Sequence, residues 1–414
     1  MVRNAMSHIA VFTFPFHGHV NPTLGLISEL VSRGHRVTYA TTEEFADAVA
    51  STGAKVLRYE GVAGSSLDLT VKTPGETSSE EFHQSMAGTT AECLSPLAAA
   101  HALLDDDRPD VVLHDLTAFH TGRLLALAWK LPAIQLCTTL VFNEAFNPYQ
   151  RLIGLYPPID PTHPMLVQER ELLETTLAEH GVEGIGPDEF KTDTSTVDSS
   201  LVFIPRELQA APDSFGPEWA FVGPCIGDRS YQGRFTLAKP KKDDIPLLVV
   251  AFGTFGYGHQ QAFFTDCVRE FTGRPWHVVL VVGNQVDLDE LEPLPDNIEA
   301  HRWVPQLDLL DQADVFVSHA GMGSVTEALY TGTPVVLLPQ LTEQDLVAEQ
   351  TEGLGVGRTI PREELSAVRV RAAVEELHAD PAVPERLARV REAMAAAGGA
   401  RRAADVVEDC LRRH

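Results

Sequence analysis

The chain has 414 residues, 44% of them hydrophobic and 22% charged, which suits about two globular domains with ordinary cores. Its formal net charge of −26 at pH 7 argues against nucleic-acid and anionic-membrane partners. The five cysteines are scattered without C-x-x-C spacing, and no run resembles a membrane span or a signal peptide, so we expect reduced thiols in a cytoplasmic protein.

The chain opens with a predicted strand, loop and helix. His8 to Phe14 is an apolar run of strand type, and Thr23 to Ser32 has the apolar spacing of a helix. The loop between them contains His17 and His19 and has no glycine-rich phosphate sequence. A His-x-His pair can bind a metal ion, but no third ligand is evident. An ordinary loop histidine is the other interpretation of either residue.

The next informative strand is Asp110 to His114, with Asp115 at its carboxyl end. In open parallel sheets, ligands bind outside the carboxyl ends of strands, and both His19 and Asp115 are predicted to lie there. A carboxylate beside an imidazole fixes its tautomer and favours its protonated form.

Two stretches with little regular pattern follow the early strands. The first, residues 60–84, is rich in Gly, Ser, Thr and acidic residues, and the second, residues 142–164, carries several aromatic rings. Long loops often bind ligands, and aromatic rings over a cleft suit a large apolar acceptor. The same rings could equally pack the N-terminal core, and both interpretations stay open.

The second half repeats the order of strand, loop and helix after a polar linker. Pro246 to Phe252 is a strand-type run, and His301 to Gln350 reads as one parallel βαβ unit. Within that unit, Met322 to Thr331 fits a helix, with Gly332 as its C′ residue. The turn before this helix is His-Ala-Gly-Met-Gly-Ser. Small residues at a helix start let backbone N–H groups approach an anion such as a diphosphate.

The turn has two other interpretations. It could be an ordinary βα turn in which Ser324 caps the helix. A nicotinamide site is less well supported, because Gly321-x-Gly323 lacks the third glycine and no acidic residue is clearly placed at the end of the next strand.

A longer pattern surrounds the turn. Trp303-x-Pro305-Gln306, then His319-x-Gly321-x-Gly323-Ser324-x-x-Glu327, then Pro339 and Glu343-Gln344, resembles the signature of UDP-sugar-dependent glycosyltransferases. Within that group the chain looks most like the bacterial macrolide glycosyltransferases, nearly from end to end.

The resemblance implies an α/β protein of the GT-B fold, in which two Rossmann-like parallel-sheet domains face a deep cleft. We expect an acceptor-binding domain at residues 1–224, a linker at 225–245, a nucleotide-sugar domain at 246–395, and a C-terminal helix at 396–414 that packs back on the first domain.

The resemblance also implies roles for individual residues. In the family's P-x-x-G-H-x-N-P motif the catalytic base is the residue that matches His19, and its acidic partner matches Asp115. The implied donor-binding residues are Thr254, Trp303, Val304, Gln306, His319, Gly321, Gly323, Ser324, Glu327, Glu343 and Gln344. The acceptor-binding candidates are the aromatic residues Phe16, Phe82, Phe119, Phe142, Phe146 and Tyr149. No metal or cofactor is implied, since the UDP-sugar is a co-substrate.

The implied reaction is inverting, metal-independent transfer of a hexose, glucose first, from a UDP-sugar to a hydroxyl of a macrolide or similar hydrophobic natural product. Relatives that use dTDP-deoxysugars lack Trp-x-Pro-Gln, so keeping Trp303, Pro305 and Gln306 favours a UDP-hexose donor. Less favoured alternatives are a UDP-sugar 2-epimerase of the same fold and a metal-dependent diphosphate site at Asp287-x-Asp289. Homodimerisation is left open.

Overall fold

The computed structural model describes residues 6–62, 77–148, 151, 154, 156–192, 197–253 and 259–414. Tyr149 and Thr254, predicted to bind acceptor and donor respectively, lie outside the described residues.

The first half of the chain forms a parallel seven-stranded sheet of order β3-β2-β1-β4-β5-β6-β7. Its strands are β1 His8–Phe12, β2 Arg36–Thr41, β3 Lys55–Arg58, β4 Val111–Asp115, β5 Ala133–Cys137, β6 Ser199–Val202 and β7 Trp219–Phe221. Its helices are α1 His17–Ser32, α2 Glu43–Ser51, α3 Ser79–Leu94, α4 Leu97–Leu104, α5 His120–Trp129, α6 Pro164–Glu179 and α7 Pro187–Thr192. The strand order reverses between β1 and β4, which places a crevice at their carboxyl ends.

The second half forms a parallel six-stranded sheet of order β10-β9-β8-β11-β12-β13. Its strands are β8 Leu247–Ala251, β9 His277–Val281, β10 Ile298–His301, β11 Val315–Ser318, β12 Val335–Leu337 and β13 Gly357–Thr359. Its helices are α8 Gln260–Phe271, α9 Gln306–Leu310, α10 Met322–Thr331, α11 Thr342–Gly353, α12 Ala367–Ala379 and α13 Val383–Ala397. Here the order reverses between β8 and β11, so a second crevice lies at their carboxyl ends. It lies beside residues 319–324, His-Ala-Gly-Met-Gly-Ser, which we call the glycine turn.

The predicted α/β fold with two parallel sheets is confirmed. β1, β4 and β8 are buried along their whole length because helices cover both faces of a parallel sheet, which is why these strands read as unbroken apolar runs. Helix α10 has the predicted bounds, and Gly332 ends it in a left-handed conformation with φ +86°.

One element differs from its prediction. Helix α1 begins at His17 and not at Thr23, so His19 lies in the first helical turn and not in a loop. The prediction failed because a proline disfavours helical dihedrals at the residue that precedes it, here Asn21. Pro22 is nevertheless inside the helix near its start, where the missing N–H removes a single backbone hydrogen bond.

A last helix, α14 Gly399–Arg413, packs against α1 of the first domain. Arg33, directly after α1, donates to Asp405 at 2.7 Å and to Glu408 at 3.2 Å. The amide of Gly399 donates to the carbonyl of Val222 at 2.7 Å. The chain therefore returns from the second sheet to the first.

The segment between the two sheets, residues 222–246, lies against both of them. Gly227 packs against Gly25 of α1, and Lys239 donates to three backbone carbonyls of residues 294, 295 and 298. The proposed linker at 225–245 falls between the last strand of one sheet and the first strand of the other, and the proposed limit between residues 395 and 396 lies inside α13.

All five cysteines are described, buried and free. No helix in the described ranges is long and apolar enough to cross a membrane.

Candidate active site

His19 and Asp115 meet at the carboxyl ends of β1 and β4. The Nδ1 atom of His19 lies 2.8 Å from Oδ2 of Asp115. The other carboxylate oxygen, Oδ1, accepts the backbone amides of Thr117 at 2.6 Å and Ala118 at 3.2 Å. Asp115 is 1% exposed, whereas the His19 side chain is 24% exposed. The carboxylate is thus fixed on three sides, and the imidazole it holds reaches solvent.

The charges of this pair favour the ionised forms of both groups. Burial disfavours the imidazolium, but the charge and hydrogen bond of Asp115, with the charge of Glu343, together exceed that effect and raise the pKa of His19. Burial likewise opposes ionisation of Asp115, but His19 and the two backbone amides lower the pKa of this carboxyl below its ordinary value. The arrangement keeps an Nδ1–H tautomer on neutral His19 and leaves Nε2 as a base.

His17 takes a different direction from His19. Its Nε2 lies 3.6 Å from Oε1 of Glu44, and its ring packs edge-on against Phe45 at 4.9 Å. The two histidines therefore contact different carboxylates and do not converge on one point.

The glycine turn holds the ring of His319. A Cβ built on Gly253 would lie 2.6 Å from Cε1 of this ring, and one on Gly321 would lie 2.4 Å from Nε2. Burial lowers the pKa of His319 to about 4, so the ring is neutral near pH 7 and offers an N–H dipole. Ala320 adopts φ +64°, a left-handed conformation that costs a non-glycine residue about 1–2 kcal/mol.

Gly323 differs from the other glycines of this turn. It lies in the first turn of α10, and a Cβ built on it would meet no described atom within 4 Å. Packing in the described structure therefore does not require a glycine there, whereas close approach of a ligand to the backbone would.

A polar cluster lies on the same face of α10. Gln306 Nε2 donates to Glu327 Oε2 at 2.8 Å and lies 3.5 Å from Ser324 Oγ. Arg229 donates to the other oxygen of Glu327 at 2.5 Å. Nearby, Trp303 is 57% exposed, an unusual degree for tryptophan. The neighbouring Val304 is buried and anchors this turn in the core.

Glu343 joins the two halves of the site. Its Oε1 accepts a hydrogen bond of 2.6 Å from Thr139, which follows β5 of the first sheet. The neighbouring Gln344 uses Oε1 to accept the amides of Gln340 at 2.8 Å and Leu341 at 3.1 Å at the start of α11. Its side-chain carbonyl thus has a structural role, and a sugar contact would fall to its amide N–H groups.

The predicted acceptor aromatics divide into two groups. Phe16 packs at 4.7 Å against Phe14, which was not predicted, and Phe14 meets the His19 ring edge-on at 5.7 Å, so these two rings border His19. The others have partners of their own: Phe82 stacks on Tyr156, Phe119 stacks on His120 and packs near Phe190, and Phe142 packs with Phe146 and the large core. Core packing accounts for the contacts of Phe119 and Phe142.

Two groups of residues bear on metal binding. Asp287 accepts the amide of Asp289 through Oδ1 at 3.0 Å, so this exposed pair forms a local turn. Within the described residues, Asp198, Cys410 and His414 are the group close enough to share an ion. Asp198 lies at the amino end of β6, whereas Asp115 lies at the carboxyl end of β4, so the two residues are at opposite ends of the strands. Burial, together with the charge of Asp198, raises the pKa of Cys410 to about 11.

Two residues near the site were not predicted. Thr139 follows the carboxyl end of β5, so the strand-end rule that selected Asp115 could have found it. Arg229 lies in the polar linker, and nothing in its neighbourhood of the sequence distinguishes it.

Known proteins resemble this chain in sequence and in structure. Residues 275–411 match the family described as erythromycin biosynthesis protein CIII-like, C-terminal domain. The chain is 39% identical to oleandomycin glycosyltransferase of Streptomyces antibioticus, over 97% of this chain and 90% of that protein. It is 34% identical to the NDP-glycosyltransferase YjiC of Bacillus subtilis over 98% of each. The solved structure of the kitacinnamycin glycotransferase matches with a TM-score of 0.82 at 37% identity, covering 98% of this chain and 99% of that one.

The matches to the two relatives and to the solved structure cover nearly the whole chain. The predicted family is therefore confirmed, and the chain belongs to the GT-B natural-product glycosyltransferases that include oleandomycin glycosyltransferase.

Proposed function

We propose that this enzyme transfers glucose from UDP-glucose to a hydroxyl group of a macrolide or a similar hydrophobic natural product, with inversion and without a metal ion. The observation that carries the proposal is the 2.8 Å contact between Nδ1 of His19 and Oδ2 of Asp115, where β1 and β4 end. Inversion follows from a single displacement, in which the acceptor oxygen attacks the anomeric carbon from the face opposite the departing diphosphate.

His19 is the proposed general base. A sugar or polyketide hydroxyl is a weak nucleophile near pH 7, and Nε2 would take its proton as the new glycosidic bond forms. Asp115 would then stabilise the imidazolium, because its buried charge lies against Nδ1. General-base assistance of this kind contributes about 10²- to 10⁴-fold in rate.

The proposed leaving-group site is the start of α10. The amides of Gly323 and Ser324, the N–H of the His319 ring and the helix dipole would stabilise the charge that develops on the diphosphate. This chemistry needs no metal. Thr254, which the resemblance also assigns to the diphosphate, remains a proposal from the sequence.

The donor assignment rests on residues around α9 and α10. The exposed Trp303 would stack on uracil, Gln306 would lie beside the nucleoside, and Glu327 would bind the ribose hydroxyls. Glu343 and the amide of Gln344 would bind hydroxyls of the sugar. The hydrophobic acceptor is supported by Phe14 and Phe16 beside His19 and by the similarity to an enzyme named for oleandomycin.

The test is mass spectrometry of products from the purified protein, UDP-glucose and a panel of macrolides and flavonoids, in EDTA. Addition of a hexose to a macrolide is the expected result, and NMR of the product should show the β-anomer. A matched set with dTDP-linked deoxysugars tests the other donor class. UDP-glucose left unchanged with every acceptor, or converted without one, would refute the proposal. A requirement for added magnesium would refute its metal-free part.

A further inference from the structure

Arg229 lies in the segment between the two sheets, residues 222–246, and contacts Glu327, the residue proposed to bind the ribose hydroxyls. Its guanidinium Nη1 donates to Oε1 of Glu327 at 2.5 Å, and the two side chains are only 9% and 10% exposed. The mechanism proposed above does not use Arg229.

The backbone on both sides of Arg229 is held in place. Gly227 packs against Gly25 of α1 so closely that a Cβ on Gly25 would lie 2.2 Å from the carbonyl oxygen of Cys225. Asp228 accepts the amide of Ser230 at 2.8 Å, which closes a turn around Arg229. The guanidinium therefore approaches α10 from a fixed support.

The ion pair lies between α1 and α10. Residues of these two helices contact each other, the backbone beside Arg229 packs on Gly25 of α1, and Glu327 belongs to α10. Arg229 therefore bridges the helix that carries His19 and the helix that follows the glycine turn.

Glu327 is bonded at both carboxylate oxygens. Arg229 donates to Oε1, and Gln306 donates to Oε2 at 2.8 Å. Each oxygen has two lone pairs, so each can accept one more hydrogen bond. A carboxylate fixed in its plane, with its charge balanced and one acceptor site left on each oxygen, matches two adjacent hydroxyl donors.

We propose that Arg229 is a positioning residue that orients Glu327 toward both hydroxyls of a ribose, and so makes the donor site select ribonucleoside over 2′-deoxyribonucleoside diphosphates. This inference rests on the donor site of the proposed function. Its consequence is that donors linked to thymidine diphosphate, which lack the 2′-hydroxyl, bind more weakly than uridine-linked donors.

The expected selectivity follows from the loss of one hydrogen bond to a charged group. Such a bond corresponds to about 10- to 150-fold in affinity. The ratio of the dissociation constants of dUDP and UDP should therefore lie in that range for the wild-type protein. In Arg229→Ala, where Glu327 loses its support, the ratio should fall toward one.

The experiment is calorimetric titration of the full-length protein with UDP and with dUDP, which differ only at the 2′ position. Arg234→Ala is the matched control, because Arg234 is an exposed arginine of the same segment; it should keep the wild-type ratio. Arg229→Lys keeps the positive charge and should keep part of the selectivity, which makes the test independent of any misfolding of Arg229→Ala. In a Glu327→Gln background, Arg229→Ala should change the ratio no further.

The outcomes separate the two proposals. If Arg229→Ala weakens UDP and dUDP equally, the ratio of their dissociation constants does not depend on Arg229, and its role is refuted. The role is also refuted if this ratio falls to one in Arg229→Lys but keeps its wild-type value in Glu327→Gln. In both cases the donor site itself stands. If the wild-type protein binds UDP no better than dUDP, Glu327 does not read the ribose and the inference also fails. If it binds neither nucleotide, the proposed function itself fails.

Discussion

The sharpest prediction concerns Asp115→Asn, which replaces one oxygen of the proposed catalytic pair by an NH₂ group. In the wild-type protein, Oδ1 of Asp115 accepts the amides of Thr117 and Ala118, and Oδ2 faces Nδ1 of His19. An asparagine must keep its carbonyl oxygen toward the two amides, because an NH₂ group there would face two other donors. Its NH₂ group then faces His19.

This orientation reverses the tautomer of the imidazole. Nδ1 must accept a hydrogen bond from the asparagine, so the ring proton moves to Nε2, the atom that should take the proton of the acceptor hydroxyl. We therefore expect kcat to fall about 10²- to 10⁴-fold, the whole contribution of a general base. His19→Ala should cause a similar loss, and the double variant should be little worse than either single one, because both changes remove the same function.

The assay is UDP release at saturating UDP-glucose and acceptor, with UDP affinity measured separately to show that the donor site is intact. Asp110→Asn is the matched control: Asp110 also accepts a backbone amide, that of His8 at 2.7 Å, but at the opposite end of β4. It should keep wild-type kcat. A kcat for Asp115→Asn within about tenfold of wild type would refute the tautomer argument, since this loss of rate would be smaller than the contribution of a general base.

The remaining predictions concern pH and the donor site. Because the pKa of His19 is raised above its ordinary 6.5 and the base must be neutral, kcat should fall as pH drops through a value above 6.5, and a pH–rate profile with its acid limb below that value would contradict this. Trp303→Ala should weaken UDP binding about 10- to 100-fold through lost stacking, with an unchanged Tm because the side chain is exposed; equal affinity in calorimetry would argue against the contact. Gly323→Ala should weaken UDP binding and leave Tm unchanged, whereas Gly321→Ala should lower Tm as well, because its Cβ would lie 2.4 Å from Nε2 of His319. The reverse order of the two Tm values would refute the packing argument.

The sequence was sufficient for those parts of the site that depend on one sheet at a time. The apolar runs of β1, β4, β8 and β11 are recognisable because parallel strands are buried on both faces. Once those strands are placed, the strand-end rule locates Asp115, and the glycine turn follows β11 directly. Both sheets turned out as predicted for this reason.

The sequence was insufficient where a local backbone preference conflicts with tertiary packing. The Asn21-Pro22 step indicated a loop, yet Pro22 removes only one backbone hydrogen bond from α1, and burial of Val20 and Leu24 favours the helix. Ala320 carries the left-handed conformation that a glycine would be expected to have. No propensity rule predicts an alanine there.

Contacts between the two sheets are the other limit, and they bear directly on function. Arg229 contacts Glu327, and Thr139 contacts Glu343, although the partners are far apart in sequence. Both glutamates also belong to the predicted donor site. The charge of Glu343 contributes to the raised pKa of His19. The proposed donor site would therefore couple donor binding to base strength, since a sugar whose hydroxyls engage Glu343 would change the surroundings of the proposed base, His19. Because the contact between Thr139 and Glu343 forms only when both halves are assembled, this coupling could not be derived from the motifs of either half alone.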